Sequence, residues 1–396
     1  MDILLQLYNL WAYTRLIRSH EEFRVQPRPQ IQLAEDQKRL LHLLRGETPR
    51  SRIEISRLLD INNGVVTRLA RELISLGLVA EAEAQTLPRG RPSLPLYLRP
   101  DGAYAIGAAT HPGWVDICVL DFAGAPLAQH SYRWDEDEPE RFAEELAQKL
   151  DTVTAGLRLR SSRFLGFGIS IPGFAVGASG QRHTVERMRS WRDRDLSDLL
   201  GKALGGPVWI ENDANAAAIA EYYDLGRREA STMLAFFLGH GVGGGCIING
   251  QLFEGAFGNA GEIGVLYPLD QPRPSAIDLA SMLQAERGEA VDLFELPSQI
   301  DAYADIVSAW IDRAARQLEL AVLSGIGWFD PATIVLSGTL PSQMLEPLAA
   351  RLHSVPWEEK IGARPAPEIR ASRLQGRAAA IGAAFLPIHH MTAPHG

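Results

Sequence analysis

The stretch from Phe237 to Gly264, FLGHGVGGGCIINGQLFEGAFGNAGEIG, constrains the fold more than any other. Gly239, Gly241, Gly243, Gly244 and Gly245 crowd one turn of it, between apolar runs on either side. That pattern predicts a hairpin bent around glycines. Such loops often wrap a phosphate, because bare backbone amides can approach an anion closely. The same glycines could serve only a turn and its packing, and the residues alone leave both uses open.

Around this segment, strands and helices come in two successive sets. YAIGAATHPGWVDICVLDFAGAPLAQHSYRW reads as a β-meander, with turns at Pro112-Gly113 and Ala123-Gly124, and a helix follows from about Glu138 to Leu157. FLGFGISIPGFAV is a buried strand ending at Pro172-Gly173, and PVWIENDANAAAIAEYYDLG is a strand, a polar turn and a helix. Helical stretches run from Ile277 to Arg287 and from Ala302 to Gly325. ATIVLSGTLP then gives a last strand and GRAAAIGAAFLPI a terminal helix. This order predicts two α/β lobes with a cleft between them.

The chain has 396 residues, enough for two or three domains. Its net charge of −9 argues against a protein that coats nucleic acid uniformly. The charge is uneven, however: residues 35–100 hold 11 Lys and Arg against 8 Asp and Glu. A basic segment on an acidic body suggests a small DNA-contacting module carried by a larger domain. The two cysteines, Cys118 and Cys246, are too few for a disulfide framework or a cysteine-rich zinc site and fit a reducing cytoplasm. They read as packed core thiols. MDILLQLYNLWAYTRLIRSH lacks the basic start and cleavage site of a signal peptide and reads as a helix packing on the protein or a partner. No run reaches the roughly 18 apolar residues needed to span a membrane. The expected domains are a helical segment at 1–34, a DNA-contacting module at 35–100 and a two-lobed α/β body at 101–396.

Within the module, Gln37 to Leu44 reads as a helix. Ser51 and Glu54 form a capping box ahead of a second, whose apolar stripe is Ile55, Leu58 and Leu59. Asp60-Ile61-Asn62 turns the chain, and a third helix runs from about Asn63 to Leu76, stopped by Gly77. Helix, short turn, helix suits a DNA-binding helix-turn-helix, although an ordinary helical hairpin has the same outline. In the first reading Asn62, Asn63, Val65, Thr67, Arg68 and Arg71 meet bases and phosphates, because Asn can pair with adenine, Arg with guanine or phosphate, and Val with a thymine methyl. Arg52 at the start of the preceding helix is a further candidate. LVAEAEAQTLPRGRPSLPLYLRP then looks like the two strands of a wing. Arg89 and Arg91 at its tip lie on an extended, proline-stiffened segment suited to a minor groove.

The succession GISIPG, Trp191, ENDANAAAIAE, LGHGVGGGCIINGQLFEGAFGNAGEIG and IVLSG resembles the ROK family of repressors, open reading frames and sugar kinases. With the module in front, the chain is similar to its repressor branch, the NagC, XylR and Mlc type, over roughly Gln37 to Phe385. The resemblance implies a winged helix-turn-helix followed by a two-lobed actin-like/hexokinase-like ATPase fold. It also implies sugar contacts from Asn212, Asp213 and Glu262. In kinase members the Asp at the Asp213 position is the general base. Chemically, a carboxylate accepts two hydrogen bonds from vicinal hydroxyls and an Asn both donates and accepts. Asp213 could alternatively, or also, cap the following helix.

The chain departs from the family at two places. Family kinases carry an Asp-x-Gly-Gly-Thr-type turn between the first two strands. Here GAATHPGWV has Ala109 at the Asp position and Pro112-Gly113 in the turn, so no carboxylate is expected there to organise Mg²⁺. His240 replaces a Thr of the second phosphate loop. Family members also usually follow GEIG with His and a cysteine-rich zinc loop, whereas here Val265 and LYPLDQPRPSAIDLAS offer no Cys or His. Asp278 is a possible stand-in for a Glu lost with that loop. His111 and His183 read as loop histidines, and Trp191 as a packing residue or a lining of the sugar entrance. The expectation is a regulator that binds operator DNA as a homodimer or homotetramer under control of a sugar or sugar derivative, without metal, cofactor, membrane or phosphoryl transfer. The alternative is an active sugar kinase with an appended DNA-binding head.

Overall fold

The computed structural model describes residues 32–45, 48–83, 94–176, 181–225, 231–268, 270–288 and 290–393. The expected helix in residues 1–31 and the wing-tip arginines Arg89 and Arg91 lie outside them.

Three helices open the described chain: α1 (Glu35–Leu44), α2 (Arg52–Leu59) and α3 (Asn63–Ser75). Local chemistry sets their limits. The Ser51 hydroxyl accepts from the Glu54 amide while the Glu54 carboxylate accepts from the Ser51 amide, so two donors at the start of α2 are satisfied reciprocally. Asp60 ends α2 in the left-handed conformation, and Asn62 caps α3 by accepting from Gly64. Leu40, Leu41, Leu44, Ile55, Leu59, Val66, Leu69, Ala70 and Leu73 close a core between the helices. Leu58, expected in the apolar stripe, is instead 52% exposed, because the eight-residue helix turns only Ile55 and Leu59 inward. Strands β1 (Val79–Glu81) and β2 (Leu96–Leu98) then pair antiparallel.

The body repeats one topology twice. In the first lobe β3 (Tyr104–His111), β4 (Gly113–Asp121) and β5 (Pro126–Trp134) form the meander. Then β6 (Phe164–Ser170) and β9 (Val208–Glu211) add in parallel, giving the order β5-β4-β3-β6-β9. A side hairpin pairs β7 (Gly173–Ala175) with β8 (Arg182–Thr184). In the second lobe β10 (Thr232–Leu238), β11 (Val242–Ile248), β12 (Gln251–Leu252), β13 (Thr333–Gly338) and β14 (Glu368–Ala371) give the order β12-β11-β10-β13-β14, with the same pattern of senses.

Helices α4 (Pro139–Thr154) and α5 (Leu196–Leu204) cover the outer face of the first sheet. Helices α7 (Ala276–Arg287), α8 (Ala304–Phe329) and α9 (Ser342–His353) cover the second. Between the sheets lie α6 (Asp213–Leu225) and α10 (Ala378–Thr392), rich in small residues that let backbones approach. At their crossing a Cβ on Gly382 would stand 1.6 Å from the Ala216 carbonyl oxygen. The core that surrounds α6 and α10 continues through Phe122 and Leu78 into the three-helix head. Arg163 adds a polar tie, donating to the carbonyls of Leu76 and Gly102. Cys118 and Cys246 are both buried thiols.

Candidate functional site

The glycines of the opening segment fall in a strand as much as in a turn. Only Gly239 and Gly241 flank the β10–β11 turn, while Gly243, Gly244 and Gly245 lie within β11. A Cβ would meet Ala214 Cβ at 2.9 Å from Gly243, the Gly261 oxygen at 2.9 Å from Gly244, and Ala218 Cβ at 2.6 Å from Gly245. The bare strand is a platform on which the start of α6 and the GNAGEIG loop both rest. That seating brings residues fifty apart in sequence together at the junction of the lobes.

Asn212, the last residue before α6, is buried, and its side-chain oxygen accepts from the Asn215 amide at 2.6 Å. Its amide nitrogen donates across the lobes to Glu262 at 3.4 Å. Asn212 is therefore the helix cap, and Asp213, the first helical residue, accepts from the next amide, Ala214, at 3.0 Å. Asp213 keeps acceptor capacity for a ligand. Burial pushes the Asp213 carboxyl up from its ordinary range, against the pull of His111 and Arg182. Burial also raises Glu262, and the Asp213 charge raises it further. Such carboxyls are suited to exchanging hydrogen bonds with hydroxyl groups.

Arg182, Glu211 and Asn215 complete the cluster; Glu211 and Asn215 lie in ENDANAAAIAE, whereas Arg182 stands in a stretch without a local sequence signal. The Glu211 carboxylate accepts from Arg182 at 2.9 Å, the Asn212 amide at 2.7 Å and Asn215 Nδ2 at 3.2 Å. Arg182 also donates to the Ile210 carbonyl, and its buried Nη1 has no hydrogen-bond partner among the described residues. The β7–β8 hairpin that carries Arg182 is clasped by Asn259, which bonds both backbone groups of Ala175.

The first-lobe turn differs from expectation. Ala109 is buried, but its cross-strand partner is Asp116, so a carboxylate stands beside the position expected to have none. Asp116 is engaged. Ser131 Oγ donates at 2.5 Å, Trp114 Nε1 at 3.2 Å, and His111 Nε2 lies 3.1 Å away. Burial alone would raise Asp116, but His111, Ser131 and Trp114 outweigh it and hold the carboxyl below its usual range. His111 is thus a buried strand residue stacked on Trp114, not a loop histidine. Phe294 packs on Trp114, and Arg133 bonds Glu295, so residues 292–295 of the second lobe abut this turn. In the β10–β11 turn, burial, with Arg187 nearby, lowers the His240 imidazole.

Other expectations resolve by packing. Asp278 does not enter the cleft cluster, because Trp310 Nε1 and Arg313 hold it against α8. Trp191 is fully buried between Trp134 and Phe142 and lines no entrance. His183 stacks on Phe174. Val265 is 85% exposed, and among the described residues no three His, Cys, Asp or Glu converge to hold a metal. The zinc that the family resemblance brings with it therefore does not fit these residues. Among the described residues, no helix is long and apolar enough to cross a membrane.

In the head, Asn62, Asn63, Arg68 and Arg71 are exposed at the start and outer side of α3, while Val65 and Thr67 are half-buried. Thr67 donates to the Asn63 carbonyl, and Arg68 pairs with Glu72 at 2.8 Å. Arg52 faces the strand pair instead, donating to the Leu94 carbonyl and pairing with Glu81. It ties α2 to the ribbon.

Residues 113–390 match the family model described as ROK family. The chain is 32% identical to the uncharacterized protein y4fQ of Sinorhizobium fredii, over 90% of this chain and 91% of that one. It is 29% identical to the xylose repressor of Caldicellulosiruptor bescii, over 54% of each chain, so the match spans about half the length of that named relative. Among solved structures it resembles a ROK family transcriptional regulator, a homolog of the E. coli Mlc protein, with a TM-score of 0.63 at 20% identity, covering 90% of this chain and 97% of that one. A ROK family glucokinase from Streptomyces griseus, solved with glucose and AMPPNP, gives a TM-score of 0.58 at 22% identity, covering 72% of this chain and 99% of that one. The duplicated lobes, the carboxylate–amide cluster between them and the extent of these matches lead to one assignment: the chain belongs to the ROK family.

Proposed function

We propose that this protein is a DNA-binding transcriptional regulator, controlled by a sugar or sugar derivative in the inter-lobe cluster and performing no phosphoryl transfer. The head is a winged helix-turn-helix: α2 and α3 are the helix pair, β1 and β2 the wing, and α3 enters the major groove. The observation that carries this reading is the solvent-facing start and outer side of α3, where Asn62, Asn63, Arg68 and Arg71 stand free of the core. Arg and Asn there can read base edges and phosphates. The names of the xylose repressor and of the Mlc-like regulator agree with it. A single α3 reads few base pairs, so a homodimer or homotetramer on paired half-sites about one helical turn apart is expected.

Asn212, Asp213 and Glu262 are the proposed effector contacts, with Arg182, Glu211 and Asn215 supporting them. Loss of phosphoryl transfer is inferred from Ala109 and from Asp116 being bound by three neighbours, which leaves that turn without a free carboxylate for a metal–nucleotide complex. The kinase reading keeps one observation in its favour: Asp213, the base position of kinase members, is present, with its carboxyl raised by burial.

The deciding experiment measures fluorescence anisotropy on DNA from upstream of the protein's own gene, at fixed salt and against scrambled competitor. Competitor-resistant binding, altered by a sugar from a screened panel, is the expected result. No sequence preference, together with ATP turnover that vanishes in Asp213→Ala, would establish the kinase instead.

A further inference from the structure

We propose that α6 is the rod coupling the inter-lobe cluster to the head, and that the contact of Tyr222 with His42 is the joint through which the coupling passes. The inference rests on the regulator reading above.

One end of α6 lies in the cluster. Asn212 caps it, Asp213 is its first residue, and Asn215 bonds Glu211. The other end touches the head. Tyr222 Oη lies 3.4 Å from His42 Nε2, with the rings stacked at 6.4 Å. The nine-residue separation of Asp213 and Tyr222 spans roughly 14 Å of helix.

Between its ends the helix has little freedom. Gly382 of α10 is pressed on Ala216 from one side, and Gly243 and Gly245 of β11 are pressed on Ala214 and Ala218 from the other. A helix packed this closely moves as a body rather than bending, because packed interiors deform little. Gly250 makes room for the joint: its φ is +79°, and a Cβ there would meet Tyr222 Oη at 2.6 Å and the His42 ring at 3.3 Å. Next to it, the Arg45 guanidinium of the head lies over the Tyr223 ring at 5.7 Å and donates to the Phe122 carbonyl at 2.6 Å.

From the joint, contacts continue to the DNA-facing surface. His42 and Gln37 are both on α1. Gln37 donates to Glu72 of α3 at 2.8 Å, and the other oxygen of Glu72 holds Arg68. A displacement of the start of α6 by a ligand is thereby passed to the helix that presents Arg68 and Arg71. Linkage makes the effect reciprocal: DNA held by α3 must act back on the start of α6. The reciprocal direction can be tested without knowing the effector.

The probe is the duplex that the full chain enriches from a random-sequence pool. Amide hydrogen exchange over residues 212–225 is measured with and without it, in the wild type and in Tyr222→Phe and His42→Ala, with thermal melts to establish that each variant is folded. The wild type is expected to change exchange at the start of α6 about fivefold or more on binding DNA, the lower end of usual coupling. Tyr222→Phe, the milder change, is expected to lose most of that response while still binding the duplex. Unchanged exchange in the DNA-bound wild type, or a full response in both variants, overturns the coupling while leaving the regulator reading intact. Enrichment of no duplex overturns the regulator reading and this inference with it.

Discussion

Asn259 of the second lobe grips Ala175 of the first through both of its backbone groups: the Ala175 amide donates to Asn259 Oδ1 at 2.8 Å, and Asn259 Nδ2 donates to the Ala175 carbonyl at 3.0 Å. Ala175 is the cross-strand partner of Arg182, which holds Glu211. The asparagine of GNAGEIG thus fixes the far wall of the cluster, while Glu262, three residues on, faces Asn212. Its side chain acts as an extra strand residue, filling the edge that β7 leaves open.

Asn259→Ala removes both bonds and is expected to cost about 2 kcal/mol, the worth of two ordinary hydrogen bonds. Amide exchange in β7 and β8 should accelerate, with α1–α3 unaffected. Urea unfolding and exchange mapping check this. Unchanged exchange at 173–175 would show that the β7–β8 pairing alone holds the hairpin.

Gly382→Ala tests the crossing of the central helices. The new methyl would sit 1.6 Å from the Ala216 oxygen, a backbone atom that cannot rotate away. A loss of about 3 kcal/mol or more is expected, as for severe overpacking. Gly327→Ala in the exposed part of α8 is the control. A Cβ there meets nothing within 4 Å, so the better helix former should stabilise by up to about 1 kcal/mol. Thermal melts of the pair separate packing from propensity.

The sequence and the fold agree where local chemistry decides. The Ser51–Glu54 capping box, the turn at Asp60–Asn62 and the stop at Gly77 delimit α2 and α3 because their partners lie within a few residues. The meander and the strand–turn–helix at Asn212 are legible from apolar runs for the same reason. What escapes is tertiary. Gly243–Gly245 look like a turn, yet they are flat because α6 and Gly261 press on them. Arg182 sits in a polar stretch, GQRHTVER, that gives no sign of burial. Helix α9 is masked by Pro347 in its interior, and β14 is four residues with charges at Glu368 and Arg370. The pairing of Asp116 with Ala109 is not legible in the sequence because register across a hairpin, not order along the chain, makes them neighbours.

Glu221 gives the stability of the body a pH dependence. It is almost wholly buried on α6, where it accepts from Ser337 Oγ at 2.6 Å, with Ser372, Asp224 and Arg373 nearby. Burial raises its carboxyl from 4.5 to about 7. The folded state thus holds the proton more tightly than the unfolded chain, so the contribution of Glu221 to stability is greatest below about pH 4.5 and falls as the pH rises toward 7. The loss attributable to this group is on the order of 3 kcal/mol. Glu221→Gln should flatten that part of the curve and raise stability at neutral pH. Denaturant unfolding from pH 5 to 8 provides the measurement, and parallel curves for variant and wild type would place the titration elsewhere.

Arg68 and Arg71 separate base reading from phosphate contact on the proposed DNA surface. Both are exposed on α3, but Arg68 is held by Glu72, which Gln37 also holds, so its guanidinium is positioned before DNA arrives. A side chain ordered in advance loses less entropy on binding and suits a contact with one base. Arg71→Ala is expected to weaken all duplexes alike and to lower the salt slope by about one phosphate contact. Arg68→Ala is expected to cost about 1–3 kcal/mol on the preferred duplex and less on scrambled DNA. Glu72→Ala, which releases Arg68 without removing it, should retain the salt slope and reduce only discrimination. Anisotropy titrations of the three variants at several salt concentrations decide the matter. Equal losses on preferred and scrambled DNA for Arg68→Ala would make Arg68 a phosphate ligand and move base reading to Asn62 and Asn63.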